Sequence, residues 1–393
     1  MSAGKRRKHA QAGPIGPAGT VATVAILGAG PIGLACALLL SARGITSQVL
    51  DARTLEQARR DRRLLALSRG TLQWLAGLLG PRLPAMADIT EVHVSSSGQF
   101  GSTRLVSGDF GGAQLGATVW YADLVEALAR AAEADSNIAV RRPLRVGGVE
   151  QNADSVVVQL DGAGAIEASI AISAEGAPAA EQAPTHDALL ADVEVRGLAA
   201  GVALERFTRF GPLALLPMPA AAPVHRSMVW CVEHAVAQRH LATSEAEFTR
   251  TIQAMLGPRI GTIVSPGPRS AFALAQQRRP QVRERRLVYV GNAAQSLHPI
   301  AGQGFNLGMR DCVCLADCLA ADWGDPDAAL SRYEAKRRMD RFAIAGFTGA
   351  LPRIFASTLP PVSIGRSLGL AAFDLAAPLR RGLASLLMFG VRR

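Results

Sequence analysis

Residues 21–51 read V-A-T-V-A-I-L-G-A-G-P-I-G-L-A-C-A-L-L-L-S-A-R-G-I-T-S-Q-V-L-D, and their order predicts strand, glycine loop, helix, strand, acid. The apolar run 21–27 reads as a buried strand. Gly28, Gly30 and Gly33 follow at G-x-G-x-x-G spacing, and an apolar helix is expected over 34–43. A second strand over 48–50 ends at Asp51. Each glycine has its own physical reason: Gly28 for a tight turn, Gly30 for close approach of backbone to a pyrophosphate, Gly33 for close packing of helix on strand. Asp51 stands about 20 residues further on, where a carboxylate accepts hydrogen bonds from ribose hydroxyls. Glycines alone would be a weak signal; with both strands, helix and terminal acid, the stretch predicts a dinucleotide site in a parallel sheet.

A second stretch, residues 291–311, reads G-N-A-A-Q-S-L-H-P-I-A-G-Q-G-F-N-L-G-M-R-D. It follows the apolar run 287–290 and leads into a helical pattern over 305–321. Strand, glycine loop and helix start again present free backbone N–H groups to an electron-rich ligand. Gly291, Asn292, Gly302, Gln303, Gly304 and Asn306 are the candidate binding positions here. His298-Pro299 stiffens the approach, because proline fixes its own φ and restricts the residue before it. An ordinary connector would not be so dense in glycine and polar residues.

Composition bounds the rest. The chain has 393 residues, 49% hydrophobic and 19% charged, with a net charge of +10. This is a globular chain long enough for two or three domains. Apart from Lys5, Lys8 and Lys336, all the Lys+Arg count is arginine. No aromatic residues interleave the basic ones, which argues against nucleic acid. Cys36, Cys231, Cys312, Cys314 and Cys318 have neither disulfide-framework nor zinc spacing, so no metal site is expected and a reducing compartment fits. Residues 1–20 are basic and then Gly/Pro-rich, without the apolar core of a signal peptide, and are expected to be a disordered leader. No run of about 18 uncharged apolar residues suggests a spanning helix.

Between the two motifs, 61–68 (D-R-R-L-L-A-L-S) puts Arg63 where a basic group can reach back to a pyrophosphate; the alternative is a solvated helix start. A helix continues over 72–79. Short alternating strands are expected at 91–95 and 101–105, and a helix at 121–134. Residues 155–160 and 166–174 pair across Asp161-Gly162, and the second strand ends in Ala174-Glu175-Gly176. Residues 177–189 lack pattern and read as a linker. Strand signals fill 193–232 and recur at 272–276, with a helix over 245–256 capped by Ser244. The tail 328–393 is mostly helical, with a basic segment over 332–341. It reads either as a cap on the nucleotide domain or as a basic amphipathic surface for a bilayer.

These residues resemble the class A flavoprotein monooxygenases of the p-hydroxybenzoate hydroxylase fold. Within them the chain is similar to the ubiquinone-biosynthesis hydroxylases, of the 2-octaprenyl-6-methoxyphenol hydroxylase type. The resemblance spans 21–393 and is most specific at 291–311, at E-R-F-T (205–208) with G-P-L-A-L-L-P (211–217), and around 387–390. It implies an α/β (α+β) fold: a Rossmann-like FAD domain over 21–92, 112–180 and 283–340, an inserted mixed or antiparallel substrate sheet over 93–111 and 181–282, and a helical region over 341–393. It implies FAD on Gly28, Gly30, Gly33 and Asp51, with Arg63 near the pyrophosphate or flavin. Glu175 stands where the family has Asp before glycine, and Asn292 replaces the Asp of G-D-A-A while keeping an acceptor. The loop from His298 and Pro299 to Asn306 would face the flavin ring, with His298 either the nearest candidate for a proton role or a structural histidine that fixes the loop. Ala122 stands where the family carries Arg or Gln. These departures imply weaker FAD retention, slower reduction or a changed substrate.

The implied activity is hydroxylation of a polyprenyl phenol by O2 through a flavin C4a-hydroperoxide, with NAD(P)H as reductant. Other ubiquinone-biosynthesis enzymes are the implied protein partners. The implied location is bacterial cytoplasm, with peripheral contact at the inner face of the plasma membrane. Two further readings stay open: a hydroxylase of a soluble aromatic, and a poorly catalytic flavin-binding scaffold of quinone synthesis.

Overall fold

The computed structural model describes residues 22–97, 102–162, 164–176, 184–257, 260–274, 277–296 and 302–356, with Gly382, Ser385 and Met388. The expected leader, the loop with His298 and Pro299, residues 177–183 and most of 357–393 lie outside the described residues.

Among the described residues, the first sheet has eight strands. Its centre runs Leu287–Tyr289, Gly164–Ser173, Ala22–Leu27, Ser47–Leu50, Ile138–Arg141, each parallel to its neighbour. Residues 22–51 therefore form strand, loop, helix and strand as the pattern predicts, with the helix at Pro31–Ser41. Val24 and Ile26 of the first strand pack on one face with Leu34, Leu40, Leu124, Leu128, Leu315 and Leu319 of the covering helices. Each fully buried Leu or Ile contributes roughly 1.5–3 kcal/mol. The hairpin across Asp161-Gly162 pairs Val156–Leu160 with Gly164–Ser173 on the same sheet.

The second sheet has seven strands among the described residues. Its order is Thr262–Ala273, His186–Arg196, His225–Glu233, Gly211–Pro217, Val202–Thr208, Glu91–Ser96, Ser102–Val106, antiparallel except where Val202–Thr208 meets Glu91–Ser96. One face packs on helices His234–Ala242 and Glu245–Leu256 through Leu189, Leu204, Leu213, Leu215, Trp230, Phe248 and Ile252. Ser244 caps the second helix, its hydroxyl accepting from the Glu247 N–H at 3.3 Å.

Two sequence expectations change. Residues 61–68 do not open a helix: Leu64–Ser68 is a strand antiparallel to Gly116–Trp120. Helix Arg69–Leu79 begins only after Ser68, whose hydroxyl accepts from the Thr71 N–H at 3.4 Å. The end of the supposed linker is also structured. His186–Arg196 is hydrogen-bonded on both edges. Leu189, Ala191, Val193 and Val195 are buried on one face, while Leu190 and Asp192 on the other line a cavity.

The basic segment 332–341 belongs to helix Pro326–Ala356, and much of its charge is turned inward. Tyr333, Arg337, Asp340 and Arg341 are buried, while Lys336, Arg338 and Met339 face outward. Among the described residues no helix is long and apolar enough to cross a membrane.

Candidate active site

The loop between the first strand and its helix is built by steric necessity. Gly28 has φ +100°, and a Cβ there would stand 2.8 Å from the Ala174 carbonyl carbon. A Cβ on Gly33 would stand 1.9 Å from the Gly28 oxygen, so this helix approaches its strand only because the residue is glycine. Gly30 differs: a Cβ would meet a single atom, the Tyr121 hydroxyl at 3.3 Å. Gly30 has ordinary backbone angles and borders open space, as an approach route for a pyrophosphate requires. Gly30 at the N-cap brings no capping side chain to helix Pro31–Ser41, which leaves its first N–H groups to an anion.

Asp51, buried at the end of the second strand, accepts from the Ala29 N–H at 2.8 Å and the Arg53 N–H at 2.8 Å. Its carboxylate thus fixes the glycine loop while lining the cavity beside it. Glu175 lines the same region. Burial, and then the nearby charge of Asp51, raise its pKa above the ordinary value. Arg63 lines the cavity with its guanidinium held by Asp61 at 2.6 Å and stacked 5.2 Å from the Tyr121 ring centroid. Burial opposes its charge, but the hydrogen bond and charge of Asp61 outweigh it and raise its pKa.

The second motif faces the first across the same cavity. Helix Gln303–Ala321 starts at Gly302, which is left-handed at φ +59° and would place a Cβ 2.6 Å from that of Ala66. Its N-cap residue, Gly302, brings no capping side chain of its own. Gly302, Gln303, Gly304, Asn306 and Asn292 line the cavity, whereas Gly33 and Gly291 support it from behind. Asn306 has its amide committed to the protein. It accepts from the Ser68 N–H at 2.8 Å and donates to Ala66 O at 2.9 Å and Gly302 O at 2.8 Å. It staples the 64–68 strand to the loop, and its side chain is a positioning group for the site.

Behind the loop lies a buried ionic chain absent from the sequence reading. Asp311 accepts from the Gly291 N–H at 3.0 Å and from Arg337 Nε at 2.7 Å. Arg337 also pairs with Asp340, which in turn pairs with Arg310 at 3.5 Å. Burial opposes the charge of Arg337, but Asp311 and Asp340 outweigh it and raise its pKa. Arg341 donates to the carbonyls of Arg279 and Ala294. The C-terminal helix therefore holds the cofactor loop from outside. Only the i,i+3 spacing of Arg337 and Asp340 hinted at this; Tyr121 and Arg53 carried no motif signal beyond their closeness to Ala122 and Asp51.

The cavity measures about 1770 Å³, above the range of roughly 300–1,000 Å³ common for one small ligand. The two loops form one wall and one face of the seven-stranded sheet forms the other, through Val92, Val94, Leu190, Ala203, Phe207, Ala214 and Leu216 among others. The donor set fits a dinucleotide: two helix N-termini with glycine at the cap, a glycine cradle that a Cβ at position 30 would narrow, and a carboxylate at the strand end. Among the described residues no group of three or more His, Cys, Asp or Glu is arranged to hold a metal.

A model of the FAD binding domain family matches residues 21–345. The chain is 32% identical over 255 residues to the ubiquinone hydroxylase UbiL of Rhodospirillum rubrum, a match covering 61% of this chain and 58% of that relative, under two thirds of its length. It is 28% identical over 387 residues to the 3-demethoxyubiquinol 3-hydroxylase of Escherichia coli, covering 91% of this chain and 96% of that enzyme. In fold it is similar to p-nitrophenol 4-monooxygenase PnpA of Pseudomonas putida, with a TM-score of 0.72 at 16% identity over 95% of this chain and 99% of that one. The mixed α/β architecture expected from the sequence is thus the observed one, and the chain belongs to the FAD-binding monooxygenase family.

Proposed function

We propose that this monooxygenase hydroxylates the aromatic ring of a polyprenyl phenol in ubiquinone synthesis, with O2 as co-substrate and NAD(P)H as reductant. One observation carries the reading: the dinucleotide loops open onto the same cavity as a broad, predominantly apolar sheet face. An apolar floor suits a prenylated ring better than a small charged aromatic. The ubiquinone hydroxylases among the relatives support the same class.

Gly28, Gly30, Gly33 and Asp51 would hold the dinucleotide end of FAD, with Arg63 and Glu175 beside it. Asn292 and the Gly302–Gly304 segment would hold the flavin end. When bound, FAD supplies the redox and oxygen chemistry that no side chain of the chain can provide. The protein's part is to orient the ring against the phenol and to keep water out. We assign the pieces 21–92, 112–180 and 283–340 to cofactor binding, and 93–111 with 181–282 to the substrate. Peripheral contact with a bilayer is part of the proposal; exposed Met339 and Phe342 beside Lys336 and Arg338 support it.

The test is the visible spectrum of the purified protein, followed anaerobically on adding NADPH or NADH, with and without a prenylated phenol. Expected are a bound flavin that bleaches faster with the phenol and, on admitting air, a product heavier by one oxygen. Stimulation by a soluble aromatic alone would replace the substrate class. A flavin that binds and never bleaches would replace the hydroxylase by a scaffold.

A further inference from the structure

Beside the first glycine loop stands a side chain that neither glycine motif announces, and strand pairing puts it there. Leu64 is opposite Trp120 where Leu64–Ser68 meets Gly116–Trp120. The pairing runs one step further, with the Tyr121 N–H donating to the Arg63 carbonyl at 2.9 Å. Trp120 then ends the strand and Tyr121 opens helix Tyr121–Glu133. The Tyr121 hydroxyl ends over Gly30, where it is the one atom within 4 Å of the place a Cβ would take. The residue is buried, and it lines the cavity together with Gly30 and Pro31.

Two arginines frame the phenol. Arg63 lies over its ring, and Asp61 engages Nε and Nη2 of that guanidinium, which leaves Nη1 to another acceptor. Arg53, folded back on Asp51, acts on the Tyr121 hydroxyl from the other side by charge and hydrogen bonding. The two guanidiniums are close enough for Arg53 to oppose the charge on Arg63. Both border the same space as the phenol and the first turn of helix Pro31–Ser41. Two cations held near one another at a helix N-terminus favour a multiply charged anion between them. Burial raises the phenol pKa and Arg53 offsets this only in part, so the hydroxyl keeps its proton at neutral pH and can donate it. A bare ring would seat Arg63 equally well; the hydroxyl is not needed for that. Ala122, one residue on, lines the cavity with a methyl group and has nothing to donate.

We propose that Tyr121 binds the diphosphate of FAD: its hydroxyl, held by Arg53, donates to a phosphate oxygen above Gly30, and its ring seats Arg63 beside the same group. The inference rests on the assignment of Gly28, Gly30 and Gly33 to the dinucleotide, and adds a side-chain donor to their backbone cradle.

The test compares the wild type with Tyr121→Phe, which keeps the ring and removes a single oxygen. FAD dissociation constants are read on the apo-proteins by quenching of flavin fluorescence, and phosphorus NMR spectra are recorded at saturating FAD. Urea unfolding of the apo-protein should be unchanged. FAD Kd should rise about 10- to 100-fold, as expected for one hydrogen bond to a charged group, and the diphosphate resonances should shift. Tyr121→Leu, which also unseats Arg63, should lose at least as much affinity. An unchanged Kd in Tyr121→Phe overturns the inference, and a loss confined to Tyr121→Leu reduces the residue to a platform for Arg63. A raised Kd with unmoved diphosphate resonances overturns it too, since the effect would then be structural. A wild type that binds no FAD fails the cofactor assignment and this inference with it, whereas equally tight binding by wild type and Tyr121→Phe leaves that assignment standing.

Discussion

Replacing Gly30 by Ala separates cofactor binding from folding. A Cβ at position 30 meets only the Tyr121 hydroxyl, at 3.3 Å, the end of a side chain that can yield by a few tenths of an ångström. The backbone there is extended, φ −74° and ψ 178°, which alanine adopts freely. Losing glycine at an N-cap costs on the order of 0.5–1 kcal/mol. Restricting the unfolded chain returns about 0.4–1 kcal/mol. Apo-protein stability should therefore change by less than about 1 kcal/mol. The methyl group, however, occupies the approach to the helix N-terminus. A charge-assisted hydrogen bond lost there is worth roughly 1.5–3 kcal/mol. At 1.4 kcal/mol per factor of ten, FAD Kd should rise about 10- to 100-fold. Gly33→Ala is the contrast. Its Cβ would lie 1.9 Å from a backbone oxygen, so helix and strand must separate and both stability and FAD should be lost. The assays are urea unfolding of the apo-proteins and FAD titration by quenching of flavin fluorescence. A Gly30→Ala protein that binds FAD as tightly as the wild type would refute the assignment of this loop to the pyrophosphate.

Two more outcomes follow from buried charge. Arg337→Met takes from Asp311 its paired cation and leaves Asp340 with Arg310, and breaking a buried pair in this way costs about 3–5 kcal/mol. FAD affinity should fall too, since Asp311 holds the Gly291 N–H; a urea-unfolding change under about 1 kcal/mol would rule out the ionic chain as a support. For Glu175, the folded pKa is raised above the ordinary 4.5 by burial and then by Asp51. The native state thus favours the protonated acid, so its contribution is fully present below about pH 4.5 and is lost as pH rises through the folded value. Glu175→Gln stays neutral. The melting temperature of the wild type minus that of Glu175→Gln should fall across this window, and a flat difference would show that Glu175 titrates as in the unfolded chain.

The sequence by itself determined the nucleotide loop and the order of the elements around it. The requirements at Gly28, Gly30, Gly33 and Asp51 arise within a single strand–loop–helix–strand unit, where φ, Cβ contact and peptide spacing are set by near neighbours. The same holds for the helix that begins at Gly302 and for the hairpin across Asp161-Gly162. What failed in the reading was less local. Residues 64–68 form a strand because Gly116–Trp120, about 50 residues on, pairs with them. His186–Arg196 is fixed as a strand by the partners on both of its edges, which lie about 40 and 80 residues further along the chain. Only the tertiary structure placed Tyr121 over Gly30, tied Asn306 to Ser68 across 238 residues, and set Arg337 behind Asp311. It also chose the face on which Glu205 lies. Side chains alternate with period two, so a one-residue slip would have turned Glu205 toward the helices and Arg206 into the cavity. Motif spacing is blind to that choice; the pairing of seven strands decides it.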